Sequence, residues 1–238
     1  LVGFLLLWEV LARVGAIDPF LLSSPSRMVA TIAELIRTGE MWLHLGTTLW
    51  ETVVGFVLGS LLGIALAIAL WWSDTLTKIL DPYLVVLNAL PKIALGPVII
   101  IVVGAGTEAI IFMALAISLI VTVLEMLSGF RRTDGEYIKM ARTFGATKRQ
   151  VFTKIVFPSN INTLFNSLKI NIGLSLVGVI AGEFLVSKAG LGYLIVYGGQ
   201  VFQLDLVMSS VLILSVMAAL MYQSVVLLQK FVSRWFGG

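Results

Sequence analysis

The chain has 238 residues, of which 59% are hydrophobic and only 12% charged, where a soluble domain carries roughly a quarter charged residues. With a mean hydropathy of +1.04 it reads as an all-α membrane protein. Each helical crossing takes about 20 apolar residues, so the length admits roughly five to seven spans and no sizeable soluble or catalytic domain. Cysteine is absent and His44 is the only histidine. That excludes disulfides, thiolate metal sites and cysteine nucleophiles, and argues against a multi-histidine metal site or a Ser-His-Asp triad. The formal charge of +3 matters through its placement on loops, where it reads as an orientation signal and not as nucleic-acid binding.

The first apolar run covers residues 1–15 and is interrupted by Glu9 and Arg13, four apart on one helical face and able to pair. It lacks the basic start and small-residue cleavage site of a signal peptide. It reads as a span whose beginning lies upstream of Leu1, since the chain does not open with methionine. From Ile17 to Met41 the pattern changes. Asp18-Pro19 and Ser24-Pro25 break helices, and Met28, Ile32, Leu35 and Ile36 recur at helical spacing among charges. This predicts an amphipathic helix over about 26–38 that lies on the membrane surface or on neighbouring spans.

Residues 43–72 form a second span longer than a hydrocarbon core, with Gly55, Gly59 and Gly63 at four-residue intervals that let another helix backbone approach closely. The third span, 76–103, carries Pro82, Pro91 and Pro97 with Asn88 and Lys92 near its middle. Prolines at membrane depth are tolerated where the freed backbone groups find partners, so this segment is expected to face protein or a water-filled path. Further spans follow at 107–127, 161–186 and 206–228. About six spans place both termini on one side. With the termini in the cytoplasm, the inner loops hold Lys78, Arg131, Arg132, Lys139, Arg142, Lys148, Arg149, Lys154, Lys230 and Arg234, and the outer ones only Arg27, Arg37 and Lys188. The asymmetry of basic residues therefore predicts cytoplasmic termini.

One connection, about 129–160 between the fourth and fifth spans, is far longer than ordinary connections. Tyr137, Ile138, Ala141 and Phe144 recur at helical spacing, Gly145 can end that helix in a left-handed turn, and Val151, Phe152, Ile155 and Val156 mark a second helix stopped at Pro158. Two short helices joined at a glycine make a cytoplasmic knob able to pack on its own bundle or dock into a partner's groove.

The stretch Glu136-Tyr137-Ile138-Lys139-Met140-Ala141-Arg142-Thr143-Phe144-Gly145-Ala146, followed by Ile155-Val156-Phe157-Pro158, resembles the "EAA" loop of the membrane subunits of binding-protein-dependent ABC importers. Lys139, Met140 and Ala141 stand at the E-A-A positions, with Gly145 and Pro158 at the glycine and proline. Lys139 replaces the usual glutamate, so no ion pair is carried over from that position. The segment Leu22-Ser23-Ser24-Pro25-Ser26, the proline-broken third span, and Gly178–Phe184 leading to Gly190–Ile195 resemble the nitrate, sulfonate and taurine branch of these permeases.

The resemblance implies a permease subunit in the cytoplasmic membrane of a prokaryote. Its implied partners are a second permease copy in a homodimer, two cytoplasmic ATPase subunits that use ATP and Mg, and an external solute-binding protein, beside membrane lipid. No G-x-x-x-x-G-K-[ST] motif occurs and the dipeptide Gly-Lys is absent, so this chain carries no nucleotide-binding loop and no cofactor of its own. The resemblance implies an ATPase-docking loop of Glu136, Lys139, Met140, Ala141, Arg142, Phe144, Gly145, Ala146, Lys148 and Pro158, in which the Met140 and Phe144 neighbourhood supplies apolar contact, Arg142, Lys148 and Arg149 the charged rim, and Gly145 the rigid turn. Among intramembrane polar residues, Asn88, Lys92, Asn171 and Glu183 are candidates for a translocation path, with an interhelical hydrogen bond as the competing role for Glu183. Glu51, Glu125 and Lys169 lie near expected span ends, where snorkelling or a structural ion pair accounts for them. Lys92 and Lys169 suit an anionic solute, with pairing to carboxylates as the alternative role for both. Trp42, Trp50, Trp71, Trp72 and Trp235 match an interfacial aromatic belt. Related permeases also serve a thiamine-precursor pyrimidine, riboflavin and amines, and an ion-gradient carrier is the alternative class; it would leave the basic knob without a role.

Overall fold

The computed structural model describes residues 2–16 and 18–236, and no strand occurs among them. Leu1, Ile17 and the side chain of Trp235 lie outside the described residues. In chain order the helices are α1 (Val2–Arg13), α2 (Pro19–Leu22), α3 (Pro25–Thr38), α4 (Glu40–Trp72), α5 (Asp74–Ala89), α6 (Gly96–Val103), α7 (Thr107–Arg132), α8 (Gly135–Thr143), α9 (Lys148–Val151), α10 (Phe157–Ser159), α11 (Ile161–Val186), α12 (Leu191–Gln200) and α13 (Leu204–Phe236). A 3-10 turn, Lys92–Leu95, precedes α6, and a π-helical stretch, Phe152–Val156, joins α9 to α10. Helices α4, α7, α11 and α13 are long and apolar enough to cross a membrane, and α5 with Lys92–Val103 makes a fifth candidate bent by 87°. At 12 residues α1 is about 18 Å long, short of a hydrocarbon core.

The amphipathic segment is set by its caps. The hydroxyl of Ser24 accepts the N–H of Arg27, Pro25 opens α3, and Gly39 at φ +81° ends it and starts α4 directly. Helix α3 packs on α13 and α4. Arg27 Nη2 lies 2.6 Å from Asp205 Oδ2 at the start of α13, and the Ser209 hydroxyl donates to the Met28 carbonyl.

The centre is the packing of α4 on α7 and of α7 on α11. The glycine stripe of α4 faces α7 within the subunit: a Cβ at Gly55 would stand 2.6 Å from Ala114 Cβ, and one at Gly63 2.6 Å from Thr122 Cβ. From the other side a Cβ at Gly178 would stand 2.6 Å from Ala114 Cα. These three helices are also tied by polar groups. The fully buried Asn171 donates through Nδ2 to Ser60 Oγ of α4 at 3.1 Å and to Thr122 Oγ1 of α7.

After Gly190 the chain starts the ten-residue helix α12. The first N–H groups of a helix have no intrahelical partner, and side chains from two other helices take them here. His44 Nδ1 accepts the Gly190 N–H at 2.9 Å, Thr48 Oγ1 accepts that of Leu191 at 2.7 Å, and Glu183 Oε2 accepts that of Gly192 at 2.5 Å. Thr48 in turn donates its hydroxyl to Glu183 Oε1 at 2.6 Å. A Cβ on Gly192 would lie 2.6 Å from Glu183 Oε2, so the carboxylate can approach only a glycine. The His44 ring also stacks on Tyr193 with centroids 5.9 Å apart.

Two expectations follow from this packing. Gly178→Ala forces the α7 backbone to move and should cost about 1–3 kcal/mol, whereas Gly173→Ala, with nothing within 4 Å of the added carbon, should be neutral or slightly stabilising; thermal unfolding of the two purified variants measures the contrast. Glu183→Leu leaves two donors without their acceptor, at about 1–3 kcal/mol each. It should lower the melting temperature and speed proteolysis between α11 and α12, while Glu183→Gln, which keeps an acceptor oxygen, should lose markedly less.

Candidate functional site

The knob begins later than the sequence suggests. Helix α7 runs on through Gly129, which is buried against Asn160 and Thr163, and ends at Arg132. Asp134 caps α8 by accepting the Glu136 N–H at 2.9 Å. At the other end of α8, Gly145 N–H reaches the Arg142 carbonyl at 2.9 Å, Ala146 N–H reaches the Ala141 carbonyl at 3.0 Å, and Gly145 sits at φ +79°. This pair of bonds is a Schellman turn. The next helix starts at once: Thr147 and Gln150 form a reciprocal capping box. The Phe157 N–H bonds to the Phe152 carbonyl, five residues back. Pro158 follows, and a proline has no N–H to give and crowds the carbonyl four residues before it, which a widened turn relieves.

The expected apolar face of α8 is split. Ile138, Ala141 and Ala146 pack against the cluster of Leu70 of α4, Val123, Met126 and Phe130 of α7, and Val151 and Val156 of the knob's second half. Tyr137, Met140 and Phe144 instead point outward, with Phe144 83% exposed. Glu136, Lys139 and Arg142 are exposed beside them, while Pro158 is half-buried on the inner side. Lys148 does not stand free on the rim. Its Nζ donates to the Trp72 carbonyl at 2.8 Å, closing the C-terminus of α4, and lies 5.4 Å from the Trp71 ring centroid. A cation at a helix C-terminus also meets its negative dipole end.

Phe152 is the pivot of the attachment. Its ring lies 4.9 Å from Trp71, 5.6 Å from Trp72, 5.4 Å from Phe130 and 6.0 Å from Phe157, centroid to centroid. Trp71 and Trp72, expected in an interfacial belt, also hold the Phe152 ring. The adjacent pair at the end of a long apolar helix was the signal for this anchor, but nothing in the sequence matches it to Phe152.

The polar residues at membrane depth separate into two groups. Asn171 and Glu183 are buried among α4, α7, α11 and α12, with Asn171 Nδ2 and both Glu183 oxygens hydrogen-bonded inside the bundle. Glu51 is fully buried beside Glu183 and near Thr107, so it neither snorkels nor pairs with a base. Asn88 and Lys92 lie at the bend between α5 and α6, where Lys92 Nζ donates to the Asn88 carbonyl at 2.9 Å. Glu125 lines a cleft of about 880 Å³ with Asn160, Thr163 and Asn166, between α7, α11 and the knob. Among the described residues the ion pairs are Glu9 with Arg13, Arg27 with Asp205, Glu34 with Arg37 and Asp81 with Arg131, so Glu125 and Lys169 belong to none.

A knob clamped to the ends of two long helices, beneath a membrane-length bundle, is the arrangement to set beside known proteins. Residues 55–238 match the family model described as binding-protein-dependent transport system inner membrane component. A probable ABC transporter permease protein of Haemophilus influenzae is 29% identical over 94% of this chain and 91% of its own length. The putative aliphatic sulfonates transport permease protein SsuC of Bacillus subtilis is 26% identical, covering 96% of this chain and 83% of that one. The taurine transport system permease protein TauC of Escherichia coli is 25% identical, covering 98% and 86%. Among solved structures, an inward-facing conformation of the MetNI methionine ABC transporter aligns with a TM-score of 0.70 at 18% identity, over 83% of this chain and 95% of that chain, a likeness of fold. The chain therefore belongs to the binding-protein-dependent transport system inner membrane component family, the membrane-spanning permease subunits of ABC importers.

Proposed function

We propose that this chain provides half of the alternating-access path of an importer for a small anionic solute of the sulfonate class, delivered by an external binding protein. Two copies of the chain and two cytoplasmic ATPase subunits complete the machine, in the inner membrane of a prokaryote. Helix α1 serves as the first of six spans, both termini face the cytoplasm, and the knob lies on the same side. The ATPases supply the ATP and Mg chemistry, which this chain has no motif to perform.

The observation that carries the reading is the division of the knob into two faces. One is buried on α4 and α7; the other presents Tyr137, Met140 and Phe144 framed by Lys139, Arg142 and Arg149. Exposed aromatic and methionine side chains inside a charged rim are the composition of a docking surface. The Schellman turn at Gly145 makes α8 and α9 one rigid piece, and Phe152 with Lys148 joins that piece to the end of α4. A pull on the outer face is thereby delivered to the α4, α7 and α11 bundle. The solute class rests on the relatives named for aliphatic sulfonates and taurine, with Asn88 and Lys92 at the bent segment lining the path.

The deciding experiment is extraction of the tagged chain in mild detergent from its native host, with mass spectrometry of stoichiometric partners. An ABC ATPase should be retained by the native chain and lost with Phe144→Asp, a change at a side chain that is largely exposed. A chain that purifies alone and moves solute on an ion gradient overturns the reading. In the assembled complex, Gly145→Val should let ATP hydrolysis continue while solute uptake falls, because a β-branched residue resists φ +79° by about 1–2 kcal/mol.

A further inference from the structure

The path reading leaves one cation of the bundle unexplained. Lys169 stands eight residues into α11, about 12 Å from its start. It is half-buried and, among the described residues, takes part in no ion pair and has no hydrogen-bond partner. The nearest candidate carboxylate in depth is Glu125: the contacts of Gly129 with Thr163 and of Asn171 with Thr122 level it with residues 167–168. It opens instead into the cleft with Thr163 and Asn166. A helical turn of 100° per residue places Lys169 on the same side of α11 as Asn162, Asn166 and Gly173. These three are exposed, whereas Asn171, on the opposite side, is buried against α4 and α7.

Gly173 has its own anomaly. Glycine lowers helix stability relative to alanine, and the other glycines of α11, Gly178 and Gly182, are there because α7 leaves no room for a Cβ. At Gly173, its own helical turn aside, nothing among the described residues comes within 4 Å of that carbon. The missing side chain thus serves something outside the subunit's own packing. An unpaired ammonium at membrane depth is costly against lipid and is found facing water-filled cavities and solute pathways.

Building on the permease reading, we infer that the Asn162, Asn166, Lys169 and Gly173 side of α11 lines the solute path, with Lys169 as the cation that meets the anionic group and Gly173 as the space beside it. The recognised chemistry is a small organic anion, a sulfonate or a carboxylate. Lys169 acts as a specificity residue, distinct from Lys92 at the α5–α6 bend.

The chain contains no cysteine, so a single Gly173→Cys reports on this face. The assembled complex in native membranes is treated with two water-soluble methanethiosulfonates, one bearing an ethylsulfonate tail and one an ethyltrimethylammonium tail. The thiol should react with both. With each rate divided by that reagent's rate on a free thiol, the sulfonate reagent should be favoured on the order of tenfold by a cation one helical turn away, and that normalised preference should collapse toward one with Lys169→Met and persist with Lys169→Arg. An unreactive thiol would mean that this face lies on lipid or on a second copy and would overturn the inference. Equal preference with and without Lys169 would remove its role as the selecting cation. Failure of ATPase retention with this charge preference intact would count against the docking reading alone.

Discussion

Lipid tails are as apolar as a leucine side chain, so in a bilayer helices gain little by hiding leucines from their surroundings and associate where backbones can come close. In this protein that constraint is met at the meeting of α4, α7 and α11. Gly55, Gly59 and Gly63 of α4 lie against Ala114, Ser118 and Thr122 of α7, and Gly178 and Gly182 of α11 against Ala114 and Ile110. Ala114 receives a glycine from each side, which makes α7 the axis of the subunit. Asn171 supplies direction to this otherwise non-directional contact by bonding to α4 and α7 together. A buried amide with two partners on different helices sets their register as well as their separation.

Each end of this bundle carries a short element held by side chains of the long helices. At one end His44 and Thr48 of α4 and Glu183 of α11 receive the leading N–H groups of α12, so α12 is held by two helices at once. At the other end Phe152 sits among Trp71, Trp72 and Phe130, and Lys148 closes the last turn of α4. Both fastenings include α4, a helix of 33 residues. The knob and α12 are thus fastened to opposite ends of the same helix.

The knob itself was largely legible. Gly145 and Pro158 are local signals: a left-handed turn and a break are decided within a few residues by backbone sterics. Which side of α8 faces inward was not legible. Ile138 and Ala141 were grouped with Tyr137 and Phe144 because helical spacing reports a stripe and not its partner, and the actual partner, the cluster at the ends of α4 and α7, comes from residues more than 60 positions away in one case. The same limit explains Glu51, read as lying near a span end, and Lys148, read as part of a rim. Their surroundings are built by α11 and by the last turn of α4.

By itself the sequence determined the membrane setting, the long helices and the knob with its glycine turn, because hydropathy, proline and glycine act locally and leave their mark in order along the chain. Only the tertiary structure decided that the α4 glycines serve contact inside one subunit, that Glu183 caps a helix and that Lys169 stays without a counter-ion. Those outcomes depend on which side chains from distant segments arrive within about 3 Å of one another, and no spacing within a single segment records that.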